Sequence, residues 1–426
     1  MKYFIKTYGC QMNVADSGGM EKGLLARGWE RGESVDGAGL VVVNTCSVRE
    51  HAESKAMSFV GELVERRQKG EDFRIIVAGC MAERMKDTLK KRFPLVDLVV
   101  GAKDIERFAE LIENVPGVIP ADKKSEVSEP SGISAFVTIM RGCENFCSYC
   151  IVPYVRGPEV SRPADEIIEE ITARAANGAK EVTLLGQNVN SYHGKSANGA
   201  TAFPELLEKI NAIPGIERIR FMTSHPKDAG DELIKAVTRL PKVCEHVHLP
   251  LQSGSDKILA AMNRGYTLAG YSKVVNALRA ACPDVSITTD ILIGFPGETQ
   301  EDFEQTLRAV NDIQFDFIFA FKYSPRPGTA AAAKPDDVAR DVKEKRHAAI
   351  LSSLNGIATQ KNATLLHTEQ EVLVEEKRAG QWVGRTRTNK KVFFESVLVL
   401  TGKTVLVGIK RTKINSLYGT FIKIAG

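Results

Sequence analysis

Apolar runs at 3–8, 40–44, 74–78 and 96–100 are each followed by a stretch whose Glu, Lys and Arg fall on one helical face. Strand then helix, four times within residues 1–113, predicts a parallel sheet covered by helices on both sides. A stretch at 116–131, rich in Pro, Gly, Lys and Glu, breaks the rhythm and predicts a linker. From residue 132 the alternation resumes, with strands expected at 136–140, 181–185, 218–221, 246–249, 286–292 and 317–321. Six βα units are too few for a complete eight-strand barrel. A charged helical pattern at 336–359 leads to short β-rich runs at 372–374, 392–394, 397–400, 405–409 and 419–424, which predict a small β-barrel. The expected division is 1–115, a linker at 116–131, a second α/β domain at 132–359 and a β domain at 360–426.

Composition changes this picture little: 43% hydrophobic and 26% charged residues suit a soluble globular chain with a large core. No apolar run approaches the roughly 20 residues needed to span a bilayer, and no signal-peptide pattern opens the chain. A cytoplasmic protein without a membrane partner is expected. Charge changes it more. Residues 361–426 hold twelve Lys/Arg against five Asp/Glu, a balance of +7; the net +4 of the whole chain leaves −3 for the other 360 residues. A polyanion-binding surface is therefore expected in the tail, on the basic loop RTRTNKK (385–391), with Trp382, Phe393 and Phe394 near it for stacking.

Eight cysteines in a chain without an export signal favour metal ligation over disulfides. Three of them, Cys143, Cys147 and Cys150, form the C-x3-C-x2-C run of RGCENFCSYC (141–150). Three thiolates on one loop can hold three irons of a [4Fe–4S] cube and leave the fourth iron open to a small molecule. A zinc site, which normally takes four ligands, and plain redox thiols are the alternatives. Cys10, Cys46 and Cys80 each end one of the first three strands. Ligands of open α/β sheets gather at the carboxyl ends of strands, so these three thiols are expected to converge on a second site; three separate buried cysteines are the alternative. Cys244 and Cys282 read as structural thiols. His246 and His248 alternate along one strand and are read as packed or barrel-lining rather than as a metal pair.

The C-x3-C-x-aromatic-C pattern resembles the signature of radical S-adenosylmethionine (SAM) enzymes, and TYGCQMN (7–13), VVNTCSVR (42–49) and VAGC (77–80) resemble the N-terminal domain of the methylthiotransferases. The tail resembles a TRAM domain, an RNA-binding module. PYVRG (153–157), MNRGYT (262–267) and YSPRPGT (323–329) carry no chemistry legible in their residues, but are close to the form found in the tRNA-modifying branch. The resemblance covers the whole chain. It departs at DSGG (16–19), where the family usually continues Asp-Ser-Glu and where two adjacent glycines weaken a helix start.

The resemblance implies an N-terminal flavodoxin-like parallel sheet, a central partial (β/α)6 radical SAM barrel and a C-terminal TRAM β-barrel. It implies two [4Fe–4S] clusters, one on Cys143, Cys147 and Cys150 that cleaves SAM reductively, and an auxiliary one on Cys10, Cys46 and Cys80 that carries the methylated sulfur. The implied reaction places a methylthio group on C2 of an N6-isopentenyladenosine immediately 3′ of the anticodon in tRNA. Such an unactivated aromatic C–H requires radical chemistry supplied by a cofactor. By the same resemblance Tyr149 packs by the adenine of SAM, Gln187 and Asn188 lie at its amino group, Gln252 and Ser253 near its ribose, and Gly294 along the adenine. Arg385, Arg387, Lys390 and Lys391 are the expected RNA contacts, and a flavodoxin or ferredoxin the electron donor to a monomeric enzyme. Action on threonylcarbamoyl-adenosine in tRNA or on a ribosomal-protein aspartate is the alternative within the family; a non-catalytic iron–sulfur RNA-binding protein is the alternative outside it.

Overall fold

In a computed structural model, residues 1–48, 50–118, 132–197 and 199–425 are described. The expected linker at 116–131 falls largely outside them. Two compact units result: Met1–Glu129 with Arg141–Phe146 and Cys150–Val160, and Pro130–Met140 with Cys147–Tyr149 and Ser161–Gly426.

The first unit runs β1 (Lys2–Thr7), α1 (Gln11–Leu25), β2 (Glu30–Arg31), β3 (Leu40–Thr45), α2 (Glu50–Gln68), β4 (Arg74–Gly79), α3 (Cys80–Arg92), β5 (Leu98–Gly101) and α4 (Phe108–Leu111). Its strands pair in parallel in the order β2-β1-β3-β4-β5, a doubly wound, flavodoxin-like sheet. β3 is buried at every position, as a central parallel strand covered on both faces must be. One apolar layer packs Val41, Val43 and Val77 under α2 and α3, and the other packs Leu40, Val42 and Ile76 under α1 and α4. Helix α1 runs unbroken through Gly18 and Gly19, so the expected weak helix start is overridden by this packing.

Next come the barrel strand β6 (Ser134–Thr138), then β7 (Met140–Arg141), α5 (Val152–Arg156) and β8 (Val160–Ser161), with β7 and β8 pairing as a short ribbon, then α6 (Ala164–Ala176) and β9 (Glu181–Leu185). A hairpin, β10 (His193–Ser196) and β11 (Gly199–Ala202), interrupts the alternation, followed by α7 (Phe203–Asn211) and β12 (Arg218–Phe221). The sequence reading lacked this hairpin. The unit continues with α8 (Asp231–Arg239), β13 (His246–His248), α9 (Asp256–Ala261), α10 (Leu268–Ala281), β14 (Ser286–Ile293), α11 (Gln300–Ile313), β15 (Phe317–Lys322) and α12 (Arg340–Ala363). Parallel triplets β6-β9-β12 and β13-β14-β15 meet at a bridge between Ile219 and Val243, giving six barrel strands and no closure. Thr299 and Asp302 cap α11 reciprocally, each side chain accepting the other's backbone N–H.

Helix α12 carries on past residue 359 and delivers the chain to a closed barrel of β16 (Glu369–Arg378), β17 (Gln381–Thr386), β18 (Lys391–Glu395), β19 (Thr404–Lys413) and β20 (Ser416–Ile424). Two details of the tail differ from expectation. The run at 397–400 is not a strand: Val397 is 100% and Val399 84% exposed, and only Leu400 reaches the core. Residues 385–391 are not an open basic loop either, because Arg385 and Thr386 belong to β17 and Lys391 to β18, leaving a tight turn between paired strands.

Candidate functional site

The three strand-end cysteines of the first unit come together. Cys10 is the N-cap of α1, Cys46 follows β3, and Cys80 opens α3, so two of the three thiols sit where a helix dipole favours thiolate. Glycine precedes two of them for a steric reason: a side chain at Gly9 would collide with Asn13 and Cys46, and one at Gly79 with the Thr45 carbonyl. A buried amide lock holds the loops in register. Asn13 Nδ2 donates to Asn44 Oδ1 (3.1 Å) and the Thr45 carbonyl (3.0 Å), while Asn44 Nδ2 donates to the Asn13 carbonyl (2.8 Å). A hydrogen bond from Cys46 holds the Cys10 thiol below its ordinary range, and that same bond pushes Cys46 up. Burial raises the Cys80 thiol and the charge of Arg156 pulls it back.

Arg156 is the last residue of α5, which packs Ile151 and Val155 against Cys80. Its Nη2 donates to Asp16 Oδ2 (2.8 Å), and Arg141 Nη1 donates to Asp16 Oδ1 (2.6 Å). Asp16 is fully enclosed. Arg156 Nη1 is buried with no hydrogen-bond partner. Three thiols and a buried cation with an unused N–H suit an anionic iron–sulfur cube, whose sulfides accept hydrogen bonds. Among the described residues no group of three or more His, Cys, Asp or Glu is arranged to hold a metal ion as the side chains stand.

On the loop at 141–150, the Cys143 N–H donates to the Gly157 carbonyl (3.2 Å) and Asn145 Nδ2 to Cys143 Sγ (3.5 Å). In the second unit, Ser148 bonds the end of α9 through its N–H to Met262 O (2.9 Å) and its hydroxyl to Ala261 O (2.9 Å). Arg264, buried, donates from Nη1 to Cys147 Sγ at 3.1 Å and from Nε to the Tyr266 hydroxyl at 3.0 Å. Arg156 and Arg264 thus come from PYVRG and MNRGYT, two stretches with no legible chemistry in the sequence. Burial of an arginine beside a cysteine has no periodic signature, so nothing short of the fold could expose it. Asn13, Asn44 and Asp16 were missed for the same reason.

The expected SAM contacts occupy the carboxyl ends of the barrel strands, and most are already engaged. Tyr149 packs against Ile258, Met262, Phe295 and Tyr323. Asn188 Nδ2 donates to Asp228 (2.8 Å), and its Oδ1 accepts from the His225 N–H (3.1 Å). Ser253 is fully buried with its hydroxyl on Thr306 (3.2 Å). Gln252 adopts φ 70° and donates its N–H to the Asp290 carbonyl (2.8 Å). Gly294 N–H donates to Glu298 (2.8 Å). Gln187 Oε1, Ser224 Oγ and His225 Nε2, beyond β9 and β12, are buried without hydrogen-bond partners. His225 Nδ1 accepts the Lys227 N–H, and burial pushes this imidazole down to about 2, so it stays neutral. His246 and His248 are buried and both face the Thr288 hydroxyl.

Of the expected RNA contacts, Arg385, Arg387 and Lys390 are engaged within the protein. Arg387 grips Glu245 through Nε (2.8 Å) and Nη2 (2.7 Å) and donates to the Val243 carbonyl; Lys390 Nζ donates to Asn362 (2.9 Å) and approaches Asp316 (3.4 Å). Arg218 and Arg220 donate back to the carbonyls of Arg385, Thr386 and Arg387 at 2.6–2.8 Å. Arg385 pairs with Glu375. The β17–β18 turn is therefore a latch onto the amino-terminal rim of the partial barrel, with Arg385, Arg387 and Lys390 each facing a carboxylate; Lys391 begins β18. Trp382 and Phe394 are buried in the small barrel's core. Phe393, by contrast, stacks on Tyr418 (centroids 5.2 Å apart, 16° between planes), with the Arg411 guanidinium 4.2 Å from the Tyr418 ring. Lys410, Arg411, Lys413 and Lys423 are exposed.

Residues 2–101 match the Uncharacterized protein family UPF0004, residues 137–310 the Radical SAM superfamily and residues 364–422 the TRAM domain. The chain is 48% identical over 422 residues to the tRNA-2-methylthio-N(6)-dimethylallyladenosine synthase of Endomicrobium trichonymphae, covering 99% of this chain and 100% of that one. It is 47% identical to the protein of the same name from Caldicellulosiruptor saccharolyticus, covering 99% and 92%. Among solved structures, the radical S-adenosylmethionine methyltransferase TsrM of Kitasatospora setae, with cobalamin and a [4Fe-4S] cluster bound, aligns with a TM-score of 0.58 at 16% identity, over 78% of this chain and 77% of that one, a likeness of fold.

Proposed function

Since this chain belongs to the tRNA-2-methylthio-N(6)-dimethylallyladenosine synthase family, we propose that it is a tRNA methylthiotransferase acting on C2 of N6-isopentenyladenosine beside the anticodon. The observation that carries this reading is the pairing of two three-thiol sets in one chain, each with a buried arginine against it. Cys143, Cys147 and Cys150 would hold a radical SAM [4Fe–4S] cluster; Cys10, Cys46 and Cys80 would hold the auxiliary one. Bound there, the clusters and SAM supply the radical and the sulfur that no side chain can provide.

The protein's own groups do the rest. Arg264 fixes Cys147 and, through Tyr266, the Pro250 and Leu251 carbonyls of the 249–255 loop. Gln187, Ser224 and His225 offer uncommitted polar atoms to SAM or the adenosine, with His225 neutral and donating from Nε2. Tyr149 and the 252–253 and 294 segments shape the SAM walls, and Asn188 holds its loop in place. For tRNA, the open cations Arg411 and Lys413 beside the Phe393–Tyr418 stack, with Lys410 and Lys423 exposed on the same small barrel, replace the latch residues as phosphate and base contacts. A monomer in the cytoplasm, reduced by a flavodoxin or ferredoxin, completes the reading.

Mass spectrometry of tRNA nucleosides from a deletion strain tests it. Loss of the 2-methylthio nucleoside with accumulation of N6-isopentenyladenosine, reversed by the intact gene but not by Cys10→Ala, is expected; unchanged tRNA would refute it.

A further inference from the structure

Arg156 stands apart from every other buried cation near the thiols. Its side chain is only 4% exposed, one arm of its guanidinium is tied to Asp16, and Nη1 has no acceptor although it is removed from water. A buried N–H without a partner costs free energy, so one retained in a native structure calls for a bound water, ion or ligand, or a redox or catalytic role, to account for it. Cys80, Asp16 and Cys10 are the charged groups that act most strongly on this guanidinium, and Cys80 lies within its hydrogen-bonding reach, so Arg156 sits against the three-thiol site. Helix α5 holds it there by packing Ile151 and Val155 against Cys80, and Gly157 lets the chain turn away immediately afterwards with φ 80°.

We propose that Arg156 is a positioning residue of the site at Cys10, Cys46 and Cys80, its Nη1 donating to a sulfur of the iron–sulfur group there and its charge favouring an anionic sulfur ligand on the open iron. This rests on the cluster reading above. Hydrogen bonds to sulfur and nearby positive charge both favour the reduced, more negative state of such a group, so Arg156 raises its potential. The same charge binds a thiolate better than a neutral thiol. Asp16 opposes the effect while aiming the guanidinium, so substitutions at the two positions should act with opposite sign.

The test uses the full-length chain with Cys143, Cys147 and Cys150 changed to Ala, reconstituted anaerobically so that a single cluster reports. About four irons per chain are expected; none would overturn the cluster reading and this inference with it. With four irons present, an EPR-monitored redox titration should show Arg156→Gln shifted to a more negative potential, Arg156→Lys shifted less, and Asp16→Asn shifted to a more positive one. Titration with sodium methanethiolate should need at least about tenfold more ligand for half-saturation in Arg156→Gln, the loss of one charge-assisted hydrogen bond. An unchanged potential and unchanged methanethiolate affinity in Arg156→Gln, with iron intact, would overturn the inference and leave the cluster reading standing. If that variant does not fold, Arg156→Lys decides: a potential and a methanethiolate affinity both unchanged from the parent, with four irons present, overturn the inference.

Discussion

Asp16 and Arg156 lie 140 residues apart in sequence and are joined by a 2.8 Å hydrogen bond between two enclosed side chains. The second carboxylate oxygen takes Arg141, so one aspartate fixes both flanks of the 143–150 cysteine loop. Removing one partner of a buried ion pair strands the other charge, at a cost of about 3–5 kcal/mol. Asp16→Ala should lower the unfolding free energy by that amount, read from a denaturant midpoint, whereas Arg141→Ala, at a less buried position, should cost less.

The latch and the open face of the tail should separate in an RNA-binding assay. Lys and Arg bound to phosphate release counterions, giving a log–log salt slope of about −0.7 to −0.9 per contact. Arg411→Ala and Lys413→Ala should each flatten the slope for an anticodon stem-loop by about that much. Arg387→Ala should leave the slope unchanged and instead loosen the small barrel, seen as faster proteolysis near residue 364. A flattened slope in Arg387→Ala alone would return the RNA contact to the latch.

Gly18 and Gly19 lie inside α1, and a Cβ at either meets nothing within 4 Å. Alanine should therefore stabilise, by about 0.5–1 kcal/mol per position, through the conformational freedom it removes. Thermal unfolding of the double variant should move to higher temperature.

Acid should weaken the protein through His225. Its native form resists protonation down to about pH 2, while the unfolded chain takes the proton near pH 6.5. Between those values the unfolded state holds the extra proton, so stability falls as pH falls, by about 1.4 kcal/mol per unit. Going from pH 7 to pH 5 should remove about 2 kcal/mol on this account. His225→Asn should flatten the dependence, measured as denaturant midpoints at the two pH values. His246, also driven down by burial, adds in the same direction.

Where residues act within one strand or one loop, the chain is legible. The alternation at 40–44 and 74–78 became β3 and β4 because β-branched runs bounded by turns have few other options. The six candidate cysteines stand out because thiol spacing and strand ends are local facts. Partnerships across the chain left no such trace. Arg387 reads identically whether it faces RNA or Glu245, and only the docked turn decides. Arg156 and Arg264 were visible as residues but not as neighbours of sulfur.

The two thiol sets also differ in how chain connectivity brings them together. Cys143, Cys147 and Cys150 share one short loop, whose closure costs little entropy even in an unfolded chain. Cys10, Cys46 and Cys80 become neighbours only when β1, β3 and β4 have paired and Asn13 has met Asn44. Under the proposed reading, a cluster on the first set would need only its own loop, whereas one on the second would need a finished sheet. Iron held at the second set would therefore report that the first unit has folded.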